Sequence, residues 1–66
     1  SGFNDVVTRG ANSSISFWYY KDTELLAVDA MNDPRAYMIG KRLIEAGRSP
    51  EKDLVKDTSA DLKSLL

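Results

Sequence analysis

Cysteine and histidine are both absent from this chain. Without cysteine there is no disulfide framework and no thiolate metal site; without histidine the commonest neutral metal ligand and the commonest general base are missing as well. Serine nucleophiles lose their usual base on the same ground, so Ser13, Ser14, Ser16 and Ser49 read as ordinary polar residues. Charge of one sign is also lacking. Nine basic side chains against ten acidic ones give a formal net charge of −1, with no basic block of the kind a nucleic-acid binder presents. No apolar run approaches the ~20 residues of a membrane-spanning helix, and the first residues carry neither the charged nor the apolar region of a secretory leader. The expectation is a soluble cytoplasmic protein with no nucleic-acid and no membrane partner.

Phosphate-cradling loops are missing too, since neither GxGxxG nor GxxxxGK[ST] occurs among the four glycines. The carboxylates show no calcium-loop spacing, and Asp29 and Asp33 fall mid-strand and at a helix start rather than as an acid/base couple. Read this way, the chain has no catalytic, cofactor-binding or metal-ligating residue of its own. Its 66 residues form one domain, 1–66, and a chain this short buries only ~60% of the surface it exposes when unfolded. The Ser-Gly start suggests a piece of a longer protein, and Leu65-Leu66 reads as a terminus closing on its own core.

What is present is a strong pattern of elements. Phe3 to Arg9 is short and β-branched, and the small residues Gly10 to Ser13 are expected to end that strand. Ser14 to Lys21 (SISFWYYK) is the strongest strand signal, followed by Leu25 to Met31, with a hairpin loop around Asp22-Thr23. Pairing Lys21 with Glu24 puts Tyr19/Leu26, Phe17/Val28 and Ile15/Ala30 on one wholly apolar face, the expected core side. The other face then carries Tyr20/Leu25, Trp18/Ala27 and Ser16/Asp29, and its aromatics Trp18 and Tyr20 call for a cover: a neighbouring domain, or self-association of the chain. The register rests on the apolar pattern, because Asp-Thr is not the Asn-Gly of a type I′ turn. A stacking platform for bases is disfavoured by the lack of basic surroundings.

Asn32-Asp33-Pro34 marks a helix start, with Asp33 as N-cap and proline at the first helical position. Ala36, Ile39, Gly40, Leu43 and Gly47 share one side at helical spacing, and Met38, Lys41, Arg42 and Glu45 the other. Gly40 allows close approach to the sheet, and Gly47 is a natural helix stop. Ser49-Pro50 opens a short turn or helix to about Val55. Thr58 to Asp61 resembles a capping box before a last helical piece that buries Leu62, Leu65 and Leu66. The fold class is α+β, a small antiparallel sheet of about three strands on one main helix, with short C-terminal helices.

Three segments together resemble a known family. Phe3-Asn4-Asp5-Val6-Val7-Thr8-Arg9-Gly10 is similar to the stretch that leads into the last domain of FAD-dependent NAD(P)H:ferredoxin reductases, the group containing putidaredoxin, rhodocoxin and rubredoxin reductases. Tyr19 to Pro34, with LLAVDAMNDP the most specific part, and Ala60-Asp61-Leu62-Lys63 match the same domain. The resemblance covers nearly the whole chain. It implies a fragment of a two-Rossmann flavoprotein that passes electrons from NAD(P)H through FAD to an iron–sulfur redoxin, the fragment itself binding neither cofactor and not being catalytic alone. Within such a parent, Trp18 and Tyr20 are expected to meet its FAD/NAD domains, and Lys41, opposite the core side of the helix, and Lys63, near the last residues, are expected to help dock an acidic redoxin. The alternative reading is a free-standing, non-catalytic protein-interaction module of similar fold.

Overall fold

The computed structural model describes residues 2–66. Three strands, β1 (Asp5–Ala11), β2 (Ser14–Lys21) and β3 (Glu24–Met31), form an antiparallel sheet in the order β1-β2-β3. Helix α1 (Pro34–Glu45), the short helix α2 (Lys52–Lys56) and a closing 3-10 turn (Leu62–Leu65) follow. Both hairpins have two-residue loops whose first residue lies at positive φ, Asn12 at 60° and Asp22 at 53°. Such tight antiparallel loops need that conformation, and Asn and Asp tolerate it better than other side-chain-bearing residues.

Gly10 does not end the first strand. It pairs with Ile15 inside β1 at φ 85°, and a Cβ there would lie 2.4 Å from the Ser14 carbonyl oxygen. Only glycine fits that crowded, left-handed position. Beyond it the strand continues through Ala11, so the turn is Asn12-Ser13 alone.

The hairpin begins in the expected register and then leaves it. Lys21 pairs with Glu24 and Tyr20 with Leu25, but Tyr19 pairs with Ala27, so Leu26 is an extra residue in β3. This β-bulge shifts the rest of β3 by one place, setting Val28 against Trp18 and Asp29 against Phe17. Every β3 side chain beyond the bulge therefore lies on the face opposite to that of an unbroken ladder.

The expected core face is accordingly reversed. Trp18 and Tyr20 are fully buried, with Val7, Leu25 and Val28 beside them, beneath Ala36, Ile39 and Leu43 of α1 and Val55, Leu62 and Leu65 of the C-terminal segment. Their polar atoms made that face resemble a wet surface, yet each is satisfied inside: the Trp18 indole N–H donates to Ser16 Oγ at 2.9 Å and the Tyr20 hydroxyl to the Pro50 carbonyl at 2.7 Å. Burying an indole and a phenol removes more apolar area from water than burying the smaller set on the other side. Phe17 and Tyr19 remain only half-buried, on the face without helices.

Helix α1 follows its sequence signals closely. The Asp33 carboxylate accepts from the Ala36 amide at 3.1 Å, with Pro34 just inside the helix. At the other end Gly47, at φ 69°, donates to Ile44 O at 3.0 Å, and Arg48 donates to Leu43 O at 2.9 Å. Those two bonds are a Schellman cap. A Cβ on Gly40 would lie 2.6 Å from Val28 Cγ1, so the glycine sets how closely α1 approaches β3. Thr58 is not the last cap. Asp61 accepts from the Lys63 amide, and Asp57 from Ser59.

One buried residue escaped the sequence reading. Arg9 alternates with Val7 on the core face of β1, and its guanidinium donates to the carbonyls of Val55 (3.2 Å), Asp57 (2.8 Å) and Ala60 (2.7 Å), with a longer contact to Leu54 (3.5 Å). A planar fork with five donors suits this cluster of carbonyls around the end of α2.

Candidate interaction site

The outer surface of α1 has two flanks, and they differ in chemistry. Arg35, Met38 and Arg42 recur at intervals of three and four, so they stack along one flank. Together with Pro34, Ile39, Lys63 and Leu66 they line a shallow groove of about 390 Å³ between the helix and the closing 3-10 turn. Its floor is apolar and open to a partner: Met38 is 58% and Leu66 39% exposed. Arg35 reaches Asp61 at 3.4 Å, a largely exposed and therefore weak pair. Among the described residues Arg42 and Lys63 have no ion-pair partner. The groove thus carries a local positive surplus on a chain whose overall charge is −1.

Lys63 belongs to that groove and Lys41 does not. The Lys41 ammonium lies 6.0 Å from the Tyr37 ring centroid on the other flank, so the two lysines singled out from sequence are not brought together. Arg35 and Arg42 are the groove cations that sequence reasoning missed; the signal was their spacing with Met38. Trp18 and Tyr20, expected at a domain interface, lie wholly inside this domain's core and offer nothing to a neighbour.

A second concavity lies where the β2–β3 turn meets the α1–α2 loop, lined by Tyr20, Glu24, Ser49, Glu51, Lys52 and Asp53 among others. Three of its lining side chains, Tyr20, Ser49 and Lys52, tie neighbouring segments together. Ser49 Oγ accepts from the Leu25 amide at 2.8 Å, and Lys52 pairs with Asp5 at 2.9 Å while lying 5.2 Å from the Tyr20 ring centroid. The Lys52 ammonium holds the Asp5 carboxyl below its usual range, and hydrogen bonds from Ser59 do the same for Asp57. Burial pushes the Tyr20 hydroxyl up to about 12, which keeps it a donor to Pro50 and unsuited to proton transfer near neutrality.

Among the described residues no buried side-chain nitrogen or oxygen lacks a hydrogen-bond partner, and no group of three potential ligands could hold a metal ion. Nor is any helix among them long and apolar enough to cross a membrane. The described glycines sit at the N-terminal end, in a strand, at a helix–sheet contact and at a helix cap, so none builds a dinucleotide cradle.

The sequence model of the family described as reductase C-terminal matches residues 1–66. This chain belongs to that family. The reductase C-terminal domain also superimposes on the crystal structure of the ferredoxin reductase for the CYP199A2 system from Rhodopseudomonas palustris, with a TM-score of 0.90 and 29% identity over 97% of this chain. The match covers 16% of that protein, so the reductase C-terminal domain corresponds to a small part of the relative's length. The α+β class and the three-stranded sheet on one main helix agree with the expectation from sequence.

Proposed function

We propose that these residues are the C-terminal accessory domain of a two-Rossmann flavoprotein that carries electrons from NAD(P)H through FAD to an iron–sulfur redoxin. Family membership and the ferredoxin reductase named above support the reading. Flavin and nicotinamide belong to the rest of such a protein, because this chain's residues do not fit a dinucleotide, and no step of hydride or electron transfer is assigned to them. Its part is recognition. The observation that carries this is the α1 groove, where Arg35, Arg42 and Lys63 surround the exposed apolar side chains of Met38 and Leu66. An apolar floor gives contact area, and cations at the rim steer an acidic partner and set its orientation. Lys41, on the far flank, adds to the long-range field but not to the contact.

Charge reversal tests the reading. In the full reductase, Arg42→Glu with Lys63→Glu should raise the KM for an acidic redoxin about tenfold at low ionic strength, and the difference should shrink as salt screens the rim. Reduction of a small artificial acceptor should be unchanged, and Lys41→Glu should have a smaller effect than the pair. Equal redoxin kinetics for wild type and the double variant at low salt would remove the docking role.

A further inference from the structure

We infer that the helix-free face of the sheet is the seat of this domain on the upstream part of its own reductase chain, an inference that rests on the family reading above. The face carries Phe3, Val6, Ile15, Phe17, Tyr19 and Met31, of which Phe3 is 52%, Val6 41% and Met31 63% exposed. Between the Lys21–Glu24 pair at the turn and Met31 at the far end, Asp29 is its one charged side chain by register. The cations of the α1 groove and the Lys52–Asp5 pair lie outside this apolar expanse. An apolar surface of this extent on so small a domain marks a contact.

Two observations select the occupant. The matched reductase is far longer than this chain, which covers 16% of it, so a large body of protein accompanies the domain in such a molecule. The path of the chain then shows where that body is delivered. Asn4 is clamped to the β2–β3 turn: its amide donates to Tyr20 O at 2.8 Å, its side-chain nitrogen to Asp22 Oδ1 at 3.0 Å, and its side-chain oxygen accepts from the Asp22 amide at 2.9 Å. The clamp fixes the preceding residue, and Phe3 lies edge-on against Tyr19, centroids 4.9 Å apart and planes at 68°. Phe3 is therefore already folded onto the open face, and chain arriving from upstream comes in over that face. Apolar side chains on the upstream body complete the cover that Phe3 begins.

The two methionines supply a test that needs no mutation. Met31 sits on the open face and Met38 on the α1 groove, and their exposures in the domain are alike, 63% and 58%. In the full-length reductase treated with dilute hydrogen peroxide, with free methionine as the reference, Met31 should become sulfoxide about tenfold more slowly than the free amino acid. That protection should persist on dilution by about a hundredfold, since an intramolecular contact does not obey mass action between molecules. Oxidation of Met31 at the pace of free methionine overturns the inference. So does protection that vanishes on dilution, which assigns the face to a second copy. The functional reading is scored separately: adding reduced-state acidic redoxin should slow oxidation of Met38 and leave Met31 as it was, and absence of redoxin turnover by the wild-type enzyme would count against the reading without altering the Met31 result.

Discussion

The two faces of β2 carry two aromatics each in effect, Trp18 and Tyr20 on one and Phe17 and Tyr19 on the other, yet the first pair is sealed and the second half-open. Apolar area favours the first pair, but Trp18 and Tyr20 each bring a polar atom that has to be satisfied inside, whereas Phe17 has none. The difference teaches that a polar atom on an aromatic ring decides burial through its partner. Ser16 beneath the indole and the Pro50 carbonyl beside the phenol make the larger rings affordable inside. The bulge at Leu26 then sends Val28 to the same side, completing one core and leaving the other face short of β3 cover.

Mutations can break this comparison at its strong end. Trp18→Ala should destabilise the 66-residue chain by about 3–5 kcal/mol, enough to unfold much of a domain this small, as read by chemical denaturation. Alkali probes the same face more gently. The Tyr20 hydroxyl has its folded-state value raised from 10.0 to about 12 by burial, so the unfolded chain loses this proton first. Its contribution to stability is full below pH 10.0 and is lost as the pH climbs toward about 12. Thermal melting of wild type should show this alkaline fall, and Tyr20→Phe should flatten it while costing about 1 kcal/mol for the bond to Pro50. At the weak end, Phe17→Ala in the isolated chain should cost clearly less, about 1–2 kcal/mol, because the ring is only half-buried. A Phe17→Ala cost equal to that of Trp18→Ala would mean that the two faces are not distinct.

Much of the fold was legible where local chemistry is self-sufficient. Asp33-Pro34, Gly40 and Gly47 each do their work with neighbours a turn away or against a single strand, and the helix they delimit lies where their spacing put it. The sheet's sidedness was not legible. It depends on one extra residue, Leu26, whose presence leaves no mark in the alternation, and on acceptors for Trp18 and Tyr20 supplied by Ser16 and by the distant Pro50. Of the α1 groove, Lys63 could be placed from its position near the closing turn, whereas its proximity to Arg35 and Arg42 required knowing which flank of α1 the closing turn packs on. Arg9 was invisible for a related reason: a lone arginine in a strand reads as solvent-facing unless its acceptors are known.

Those acceptors order the assembly of the domain in time. The carbonyls that receive the Arg9 guanidinium belong to residues 45 to 51 places further along the chain. A charged fork cannot be left buried without partners, so β1 cannot close its core side until they arrive. As the polypeptide emerges from the ribosome, the β1–β2 and β2–β3 hairpins and α1 can each pair with what has already been made, but Arg9 must stay hydrated until Ala60 is outside the exit tunnel. The first strand and the last segment therefore close as one late event, and a nascent chain halted before that point holds its oldest strand in waiting.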